Sequence, residues 1–370
     1  MILVLLALAA VLLLILSKLV NSDQVGRFFR YMGLRDKEGY GCISFEGSAG
    51  TICAGFGDGV LLGTENSLAL YALDGEQKAM IQGSLPTPVL RTGGDVSFVF
   101  SPGSAYAASI GTDGTVLMDS TISGSYLNAD VSFDGYAAFI TSETGYKSVA
   151  TVLNKKQEAI YRFSSRTRYL NACAISEKGA YLAVARLEEE NGIFRSSVAI
   201  LRTDTPLSDL EHDGNETAWL DLGNQMVYAL HFLDQTHLVA IAQDEIVFLD
   251  VQGELLGQYS TRTARLTDYA ISAKGWMLLS LEQNAGSYHI MTLDASGQIL
   301  GESNLQDRVR SVSAAEDYAA VLTESCVQTY DCNLDVRDRS WDVLSITKAI
   351  ARPDGTVLLV GSSETKLYIP

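Results

Sequence analysis

The sequence predicts an all-β fold built from repeated four-stranded units, and three observations lead to this prediction. The stretch from Leu266 to Asn304 contains four short apolar or alternating runs separated by three turn-rich segments, as in consecutive hairpins. The same turn signatures recur with a period of about 42 residues. The last unit ends one strand short, while a spare strand-like run begins at Tyr40.

A single four-stranded sheet cannot bury both of its faces, so each unit needs neighbours of the same kind. A period near 40 residues with four strands per unit is typical of a β-propeller. We call the first turn of each unit, which precedes an apolar strand, its inner turn. Inner turns are predicted at Asp58-Gly59, Pro102-Gly103, Asp134-Gly135, Lys178-Gly179, Asp234-Gln235, Lys274-Gly275, Glu316-Asp317 and Asp354-Gly355.

A second signature precedes the last strand of most units, and we call this segment the outer turn. It consists of an apolar residue followed by Asp or Asn, at Leu73-Asp74-Gly75, Met118-Asp119, Leu153-Asn154, Leu249-Asp250, Leu293-Asp294 and Tyr330-Asp331. In the fourth unit the corresponding Arg202-Thr203-Asp204 comes late, because Glu188 to Phe194 extends the middle hairpin. Asn191-Gly192 is a plausible tight turn at the tip of that hairpin.

The ends of the repeat region predict how the ring closes. The eighth unit stops at Leu367-Tyr368-Ile369-Pro370, where its outer turn would begin. The alternating run from Tyr40 to Phe45 can supply the missing fourth strand and cover an otherwise exposed edge. The sequence therefore predicts an eight-bladed β-propeller over residues 40–370, closed by an N-terminal strand. Seven blades are the alternative, if a weak early repeat merges with its neighbour.

Residues 1–20 are expected to form one transmembrane anchor. Met1 to Leu16 are wholly apolar, and Leu19 and Val20 complete a segment long enough to span a bilayer, with Lys18 able to reach the interface. A cleaved signal peptide is the alternative, with Val20-Asn21-Ser22 as the passable cleavage site.

Residues 21–39 are expected to form a membrane-proximal stalk. It would contain a short helix carrying Val25, Phe28, Phe29 and Met32, with the two phenylalanines either in the membrane interface or docked on the propeller.

The orientation of the anchor rests on two opposing arguments. Lys18 and three arginines follow the apolar segment. Because positively charged residues flanking a transmembrane helix tend to stay on the cytoplasmic side, this distribution taken alone would leave the propeller in the cytoplasm. Long domains, however, translocate largely regardless of charge. We expect the propeller on the extracytoplasmic side of a bacterial membrane.

Charge excludes one class of partner. The chain has a formal net charge of −17, whereas nucleic acids and anionic membrane surfaces select for clustered Lys and Arg. We therefore expect no nucleic-acid partner. Membrane lipid around residues 1–20 and a protein, peptide or glycan on a propeller face are the expected partners.

The turn signatures resemble those of bacterial propellers of the quinoprotein-like and TolB- or WD40-like kinds, over roughly Gly41 to Pro370. The chain also looks like the membrane-anchored propellers of unknown function found in clostridial bacteria. The resemblance implies the fold, but the specific functions of those families do not carry over. Trp219, Trp276 and Trp341 do not share one repeat position, as quinoprotein docking tryptophans do, and Trp341-Asp342 occurs once.

No candidate catalytic, cofactor-binding or metal-binding residue emerges from the sequence. His212, His231, His237 and His289 lack ligand spacing, and the acidic stretch from Asp204 to Glu216 departs from the EF-hand pattern. Cys42 and Cys53 could form a staple across the closure, but buried free thiols are the expectation for all five cysteines. Nucleophile elbows, zinc-binding helices and phosphate-binding loops are missing from the sequence.

These features favour a non-catalytic binding or assembly scaffold tethered to a membrane. Two alternatives stay open: an envelope sensor acting through a separate signalling partner, and an enzyme with a metal or cofactor in its central channel. The enzyme would require inward-facing carboxylates or histidines from several blades.

Overall fold

The computed structural model describes residues 26–27, 30–32, 41–45, 50–204, 211–212, 216–283 and 286–370. These residues form an eight-bladed β-propeller, which confirms the predicted all-β fold and makes the seven-bladed alternative wrong. Each blade is built on four antiparallel strands, in chain order except in the last blade, where a strand from the start of the propeller takes the fourth place. The first strands of successive blades lie beside one another around a central channel.

The described strands begin with β1 (Ile43–Ser44), which belongs to the last blade. The strands of the first four blades, from the inside outward, are β2 (Ile52–Phe56), β3 (Gly59–Gly63), β4 (Ser67–Ala72) and β5 (Gln77–Gln82) in blade 1; β6 (Val89–Gly93), β7 (Val96–Phe100), β8 (Tyr106–Ile110) and β9 (Val116–Thr121) in blade 2; β10 (Ser125–Val131), β11 (Ala137–Ser142), β12 (Ser148–Leu153) and β13 (Ala159–Ser165) in blade 3; and β14 (Tyr169–Ile175), β15 (Tyr181–Glu190), β16 (Ile193–Arg202) and β18 (Ala218–Asp221) in blade 4. A short strand, β17 (Glu211–His212), pairs parallel with β13 at the outer edge of blade 3.

The remaining strands follow the same order. They are β19 (Val227–Phe232), β20 (His237–Ala242), β21 (Glu245–Asp250) and β22 (Leu255–Ser260) in blade 5; β23 (Arg265–Ile271), β24 (Met277–Glu282), β25 (Tyr288–Leu293) and β26 (Ile299–Leu305) in blade 6; β27 (Val309–Ala315), β28 (Tyr318–Thr323), β29 (Val327–Tyr330) and β30 (Val336–Ser340) in blade 7; and β31 (Ile346–Ala351), β32 (Val357–Gly361) and β33 (Glu364–Tyr368) in blade 8.

The predicted closure is confirmed, because β1 pairs antiparallel with β33 and supplies the fourth strand of blade 8. Ile43 lies opposite Thr365, and the amide of Phe45 donates to the carbonyl of Ser363 at 2.8 Å. Gly41 has φ of +74°, and a Cβ there would lie 2.4 Å from the Cβ of Leu367. The entering chain therefore requires glycine at this position.

The register predicted for blade 2 is wrong by one strand. Pro102-Gly103 joins β7 to β8 and is the middle turn, whereas the inner turn is Gly94-Asp95. Met118-Asp119 lies within β9 rather than in the outer turn, which contains Gly114. The error arises because adjacent strands share the same alternation, and Pro-Gly suits any tight turn.

The core is divided among the boundaries between blades, with one buried apolar cluster between each pair of neighbours. The cluster at the closure joins Ile43 of β1 to Val60 and Leu62 of blade 1 and to Leu358 and Val360 of blade 8. Each sheet thus buries both faces against its neighbours, as the repeat requires.

The strand directions give the molecule two unlike faces. The inner and outer turns form one face, which we call the turn face. The middle turns and the connections between blades form the other, which we call the hairpin face. Gly26, Arg27, Arg30 and Tyr31 have helical backbone and contact the turn face. In the described part of the chain, no helix has the length and apolarity needed to cross a membrane; the predicted anchor, residues 1–20, lies outside it.

Candidate functional site

The largest departure from the repeat on the hairpin face is the hairpin of β15 and β16. Its two strands pair continuously from Tyr181–Arg202 to Glu190–Ile193, which confirms the predicted extension. Asn191 and Gly192 have φ of 55° and 80° and form the predicted two-residue turn, which favours these residue types. The tip leaves Ile193 and Phe194 61% and 62% exposed.

The base of this hairpin is fixed by charged side chains. Arg186 of β15 pairs with Glu216, and both side chains are more than nine-tenths buried. The Arg186 Nε also donates to the Ser197 hydroxyl at 3.2 Å, and Arg168 holds Glu188 at 2.8 Å. Because the base is held in place, the hairpin presents its apolar tip as a rigid projection.

Further apolar side chains lie on the hairpin face beside this projection. Tyr169 begins β14 and lies under the Lys147 ammonium, whereas Met226 and Tyr228 lie at the start of blade 5. A polar cavity of about 550 Å³ opens next to Tyr228, between blades 5 and 6. Its lining includes Arg262 and Arg265, so the exposed apolar side chains of this face lie next to a charged cavity.

A second candidate site lies in the central channel, where a cavity of about 430 Å³ opens on the turn face. Blades 2 to 6 line this cavity, and its polar side chains include Arg91, Asp130, His231, Asp268 and Tyr269. The sequence did not single out this cluster as a site. A usable signal was nevertheless present, since Arg91, Asp130 and His231 each lie within two residues of the end of a first strand.

Hydrogen bonds to the next blade position the channel carboxylates. Asp130 accepts from the amide of Ile175 at 3.1 Å, and Asp268 accepts from the amide of Val312 at 2.8 Å. These bonds satisfy amides on the free inner edge of each sheet, which no strand covers. Burial raises the pKa of Asp130 to about 6, against the opposing effects of the Ile175 amide and Arg91.

His231 and Tyr269 form the aromatic part of the channel cavity. The His231 Nε2 lies 3.0 Å from the Tyr269 hydroxyl, with the ring centroids 5.5 Å apart. Burial, followed by the nearby Arg91 charge, lowers the pKa of His231 to about 3, so the imidazole is neutral at physiological pH. The inward-facing groups required by the enzyme alternative thus come from several blades, but no three metal-ligating residues cluster anywhere in the described ranges.

The other residues considered from the sequence lie apart from the channel. His237 pairs with Asp234 in the inner turn of blade 5, and His289 lies beside Asn304 in blade 6. The side chain of His212 and most of the acidic stretch lie outside the described residues. All five cysteines are free thiols, so Cys42 and Cys53 form no staple.

The described N-terminal residues form a third feature, a latch that we define as Arg27, Arg30 and Tyr31 bound to the turn face. The Tyr31 hydroxyl donates to the Asp354 carboxylate, and Arg30 pairs with Asp58 at 2.7 Å. Arg27 donates to the carbonyl of Asp354 and lies over the ring of Tyr318. The latch therefore contacts blades 7, 8 and 1. Phe28 and Phe29 lie outside the described residues.

Undocking of the latch can be measured with trypsin. Replacing Tyr31 with alanine removes a side chain that is 2% exposed, together with its hydrogen bond to Asp354. The change should weaken docking of the latch on the turn face by about 3 kcal/mol. We expect trypsin to cleave after Arg27 and Arg30 at least about tenfold faster in this variant. The matched control is Met32→Ala, because Met32 is 61% exposed. Equal cleavage rates in both variants would show that the latch is not held by Tyr31.

Comparison with solved structures shows the propeller fold. BamB from Moraxella catarrhalis is 12% identical with a TM-score of 0.51, covering 89% of this chain and 96% of that one. Sqt1 from Saccharomyces cerevisiae is 8% identical with a TM-score of 0.56, covering 88% and 97%. Sqt1 from Chaetomium thermophilum, bound to the N-terminus of the ribosomal protein L10, is 12% identical with a TM-score of 0.53, covering 90% and 100%.

Sequence comparison gives a family but no characterised relative. The model of a family of unknown function, DUF5711, matches residues 41–339, from the closing strand to the end of blade 7. No curated protein matches the chain.

Proposed function

Because the chain belongs to the family of unknown function DUF5711, we propose its function from its surfaces: a non-catalytic, membrane-tethered scaffold that binds a protein or peptide on its hairpin face. The observation that carries this proposal is the exposed apolar tip of the extended hairpin. Large apolar side chains projecting from a rigid base resemble interface anchors. They suit an apolar partner surface better than a glycan.

The position of the latch supports this choice of face. Five residues, 21–25, separate the apolar segment from Gly26, and five residues span at most about 18 Å. If residues 1–20 lie in a membrane, the turn face is held close to it, and the hairpin face points away. A partner could then approach the hairpin without steric interference from the bilayer.

The neighbouring cavity suggests how a peptide would be held. Met226 and Tyr228 continue the apolar surface from the hairpin toward a charged cavity, in which Arg262 pairs with Asp244 at 3.8 Å and Arg265 pairs with Glu282. The solved complex of Chaetomium thermophilum Sqt1 shows that a propeller of this general shape can hold a terminal peptide segment. A scaffold built in this way would select partners by an apolar anchor followed by polar groups that hydrogen-bond to these charged side chains.

The proposal is tested by partner capture from detergent-solubilised membranes. Replacing both Ile193 and Phe194 with serine should lower partner recovery at least about tenfold, as expected for anchor residues. The control replaces both Ile299 and Leu300 with serine. These exposed apolar residues lie at the start of β26, on the turn face. Loss in both double variants, or in neither, would contradict recognition by the hairpin.

The extracytoplasmic placement has its own test. A membrane-impermeant amine reagent added to intact cells stripped of their wall should label the exposed Lys155 and Lys156, in the outer turn of blade 3, if the propeller is outside. Labelling that requires lysis would place the propeller in the cytoplasm and overturn this part of the proposal.

A further inference from the structure

The charges lining the channel cavity are unbalanced. Four carboxylates, from Asp130, Glu177, Asp234 and Asp268, share the lining with a single guanidinium, that of Arg91. The neutral His231 adds no positive charge. A concave site with an excess of one charge sign concentrates ligands of the opposite sign.

The one guanidinium forms no direct ion pair with the Asp130 or Asp268 carboxylate. Arg91 donates from Nε to the carbonyl of Ala129 at 3.2 Å and from Nη1 to that of Leu90 at 3.3 Å. Among the described residues, no lysine or arginine nitrogen lies within 4.0 Å of the Asp130 or Asp268 carboxylate. Asp130 is nevertheless 8% exposed, and a charge so deeply buried usually has a counter-ion.

Aromatic rings complete the lining. Tyr269 follows Asp268 on β23 and has His231 against its ring, and Phe133 and Phe232 also line the cavity. The face of a tyrosine attracts an organic cation, and this attraction is stronger where water is excluded. The cavity volume of about 430 Å³ falls within the range of small-molecule sites.

We propose that the channel cavity binds a small organic molecule carrying a protonated amine, whose ammonium group donates to Asp130 and lies against Tyr269. Asp268, on a blade separated from that of Asp130 by two others, lines the same cavity, so a diamine can form two ion pairs where a monoamine forms one. The amine supplies the direct ion pair that Arg91, which donates to backbone carbonyls, does not form with Asp130. This site is independent of the proposed recognition by the hairpin, which lies on the other face.

The experiment is calorimetric titration of the full chain in detergent at pH 7.5 with putrescine, butylamine and succinate. We expect saturable binding of putrescine, weaker binding of butylamine and none of succinate. Asp130→Asn should weaken putrescine binding at least about tenfold, because the ion pair is lost. Glu76→Gln, which removes an exposed carboxylate from an outer turn, is the control and should bind like the wild type.

Two further measurements separate the site from general charge attraction. Tyr269→Leu should weaken binding, whereas Tyr269→Phe should retain it, because the ring rather than the hydroxyl faces the cation. Circular dichroism identifies any variant that fails to fold. Failure of both amines to bind, preference for succinate, or unchanged putrescine affinity in folded Asp130→Asn would each overturn the proposal.

Binding should also weaken between pH 7.5 and pH 5, because protonation removes the charge on Asp130. The titratable and charged groups facing Asp130 are Arg91 on β6, Cys173 on β14, Glu177 and Asp234 at the mouth, His231 on β19, and Asp268 and Tyr269 on β23. His231 stays neutral over this range, and burial raises the pKa of Asp268 as well, so both carboxylates change in the same direction. Affinity that is constant from pH 7.5 to pH 5 would contradict contact with Asp130.

Discussion

Replacing Ile43 with aspartate is expected to open the ring and to lower the free energy of unfolding by about 3–5 kcal/mol, the cost of an uncompensated buried charge. Ile43 is 2% exposed and packs between blades 8 and 1. Its strand, β1, has two residues, so few other contacts can hold it in place. The variant should therefore lose the fourth strand of blade 8 rather than tolerate the substitution locally.

The closing strand offers a matched control. Ser44 is the other residue of β1, and its side chain is exposed. Ser44→Asn introduces a side chain of the same size as aspartate on the same strand, without burying it and without placing a second carboxylate opposite Glu364. Its free energy of unfolding should match that of the wild type within about 0.5 kcal/mol. Urea denaturation followed by circular dichroism measures both variants.

Association provides a second measurement of the same event. When β1 leaves, β33 becomes an exposed edge, and exposed edges pair with other chains. Size-exclusion chromatography with light scattering should show higher-order species for Ile43→Asp and monomer for Ser44→Asn. Equal stability and equal mass for the two variants would mean that β1 does not close the ring.

The closure was predictable because an unpaired strand edge is a general liability that local sequence can reveal. The final unit visibly lacks a strand, and the run around Ile43 has the right alternation to supply it. Inner turns such as Asp134-Gly135 were predictable for a related reason. Gly135 has φ of 88°, which favours glycine at that position.

The channel cavity was not predictable in the same way. Its residues are spread over five blades, and nothing local distinguishes Asp130 or Asp268 from a polar residue at the end of any strand. Their proximity depends on the number of blades and on the register of each first strand. The error in blade 2 shows how easily that register is lost, and Arg91 lies in that blade. Aligning the first strands of all the blades would have brought these positions together only after the register of blade 2 was corrected.

Asp130→Asn is expected to stabilise the protein at pH 8. The pKa of Asp130 is raised from 3.8 to about 6, so the folded state binds the proton more tightly than the unfolded chain. As the pH rises from about 4 through about 6, ionisation of the buried carboxylate therefore costs stability, by at most about 3 kcal/mol above pH 6. Asparagine does not ionise, and its oxygen can still accept from the Ile175 amide.

The gain in stability should consequently depend on pH. Asp130→Asn should exceed the wild type by about 2–3 kcal/mol in urea denaturation at pH 8 and match it near pH 4. Glu76→Gln removes a charge from the surface and should show no pH-dependent gain. A gain of the same size at both pH values would assign the effect to packing. The charged Asp130 carboxylate lowers the stability of the fold, although its hydrogen bond with the Ile175 amide does not require the charge. Such a group is typical of a ligand site, because a bound amine would lower the pKa of Asp130 and recover the lost stability.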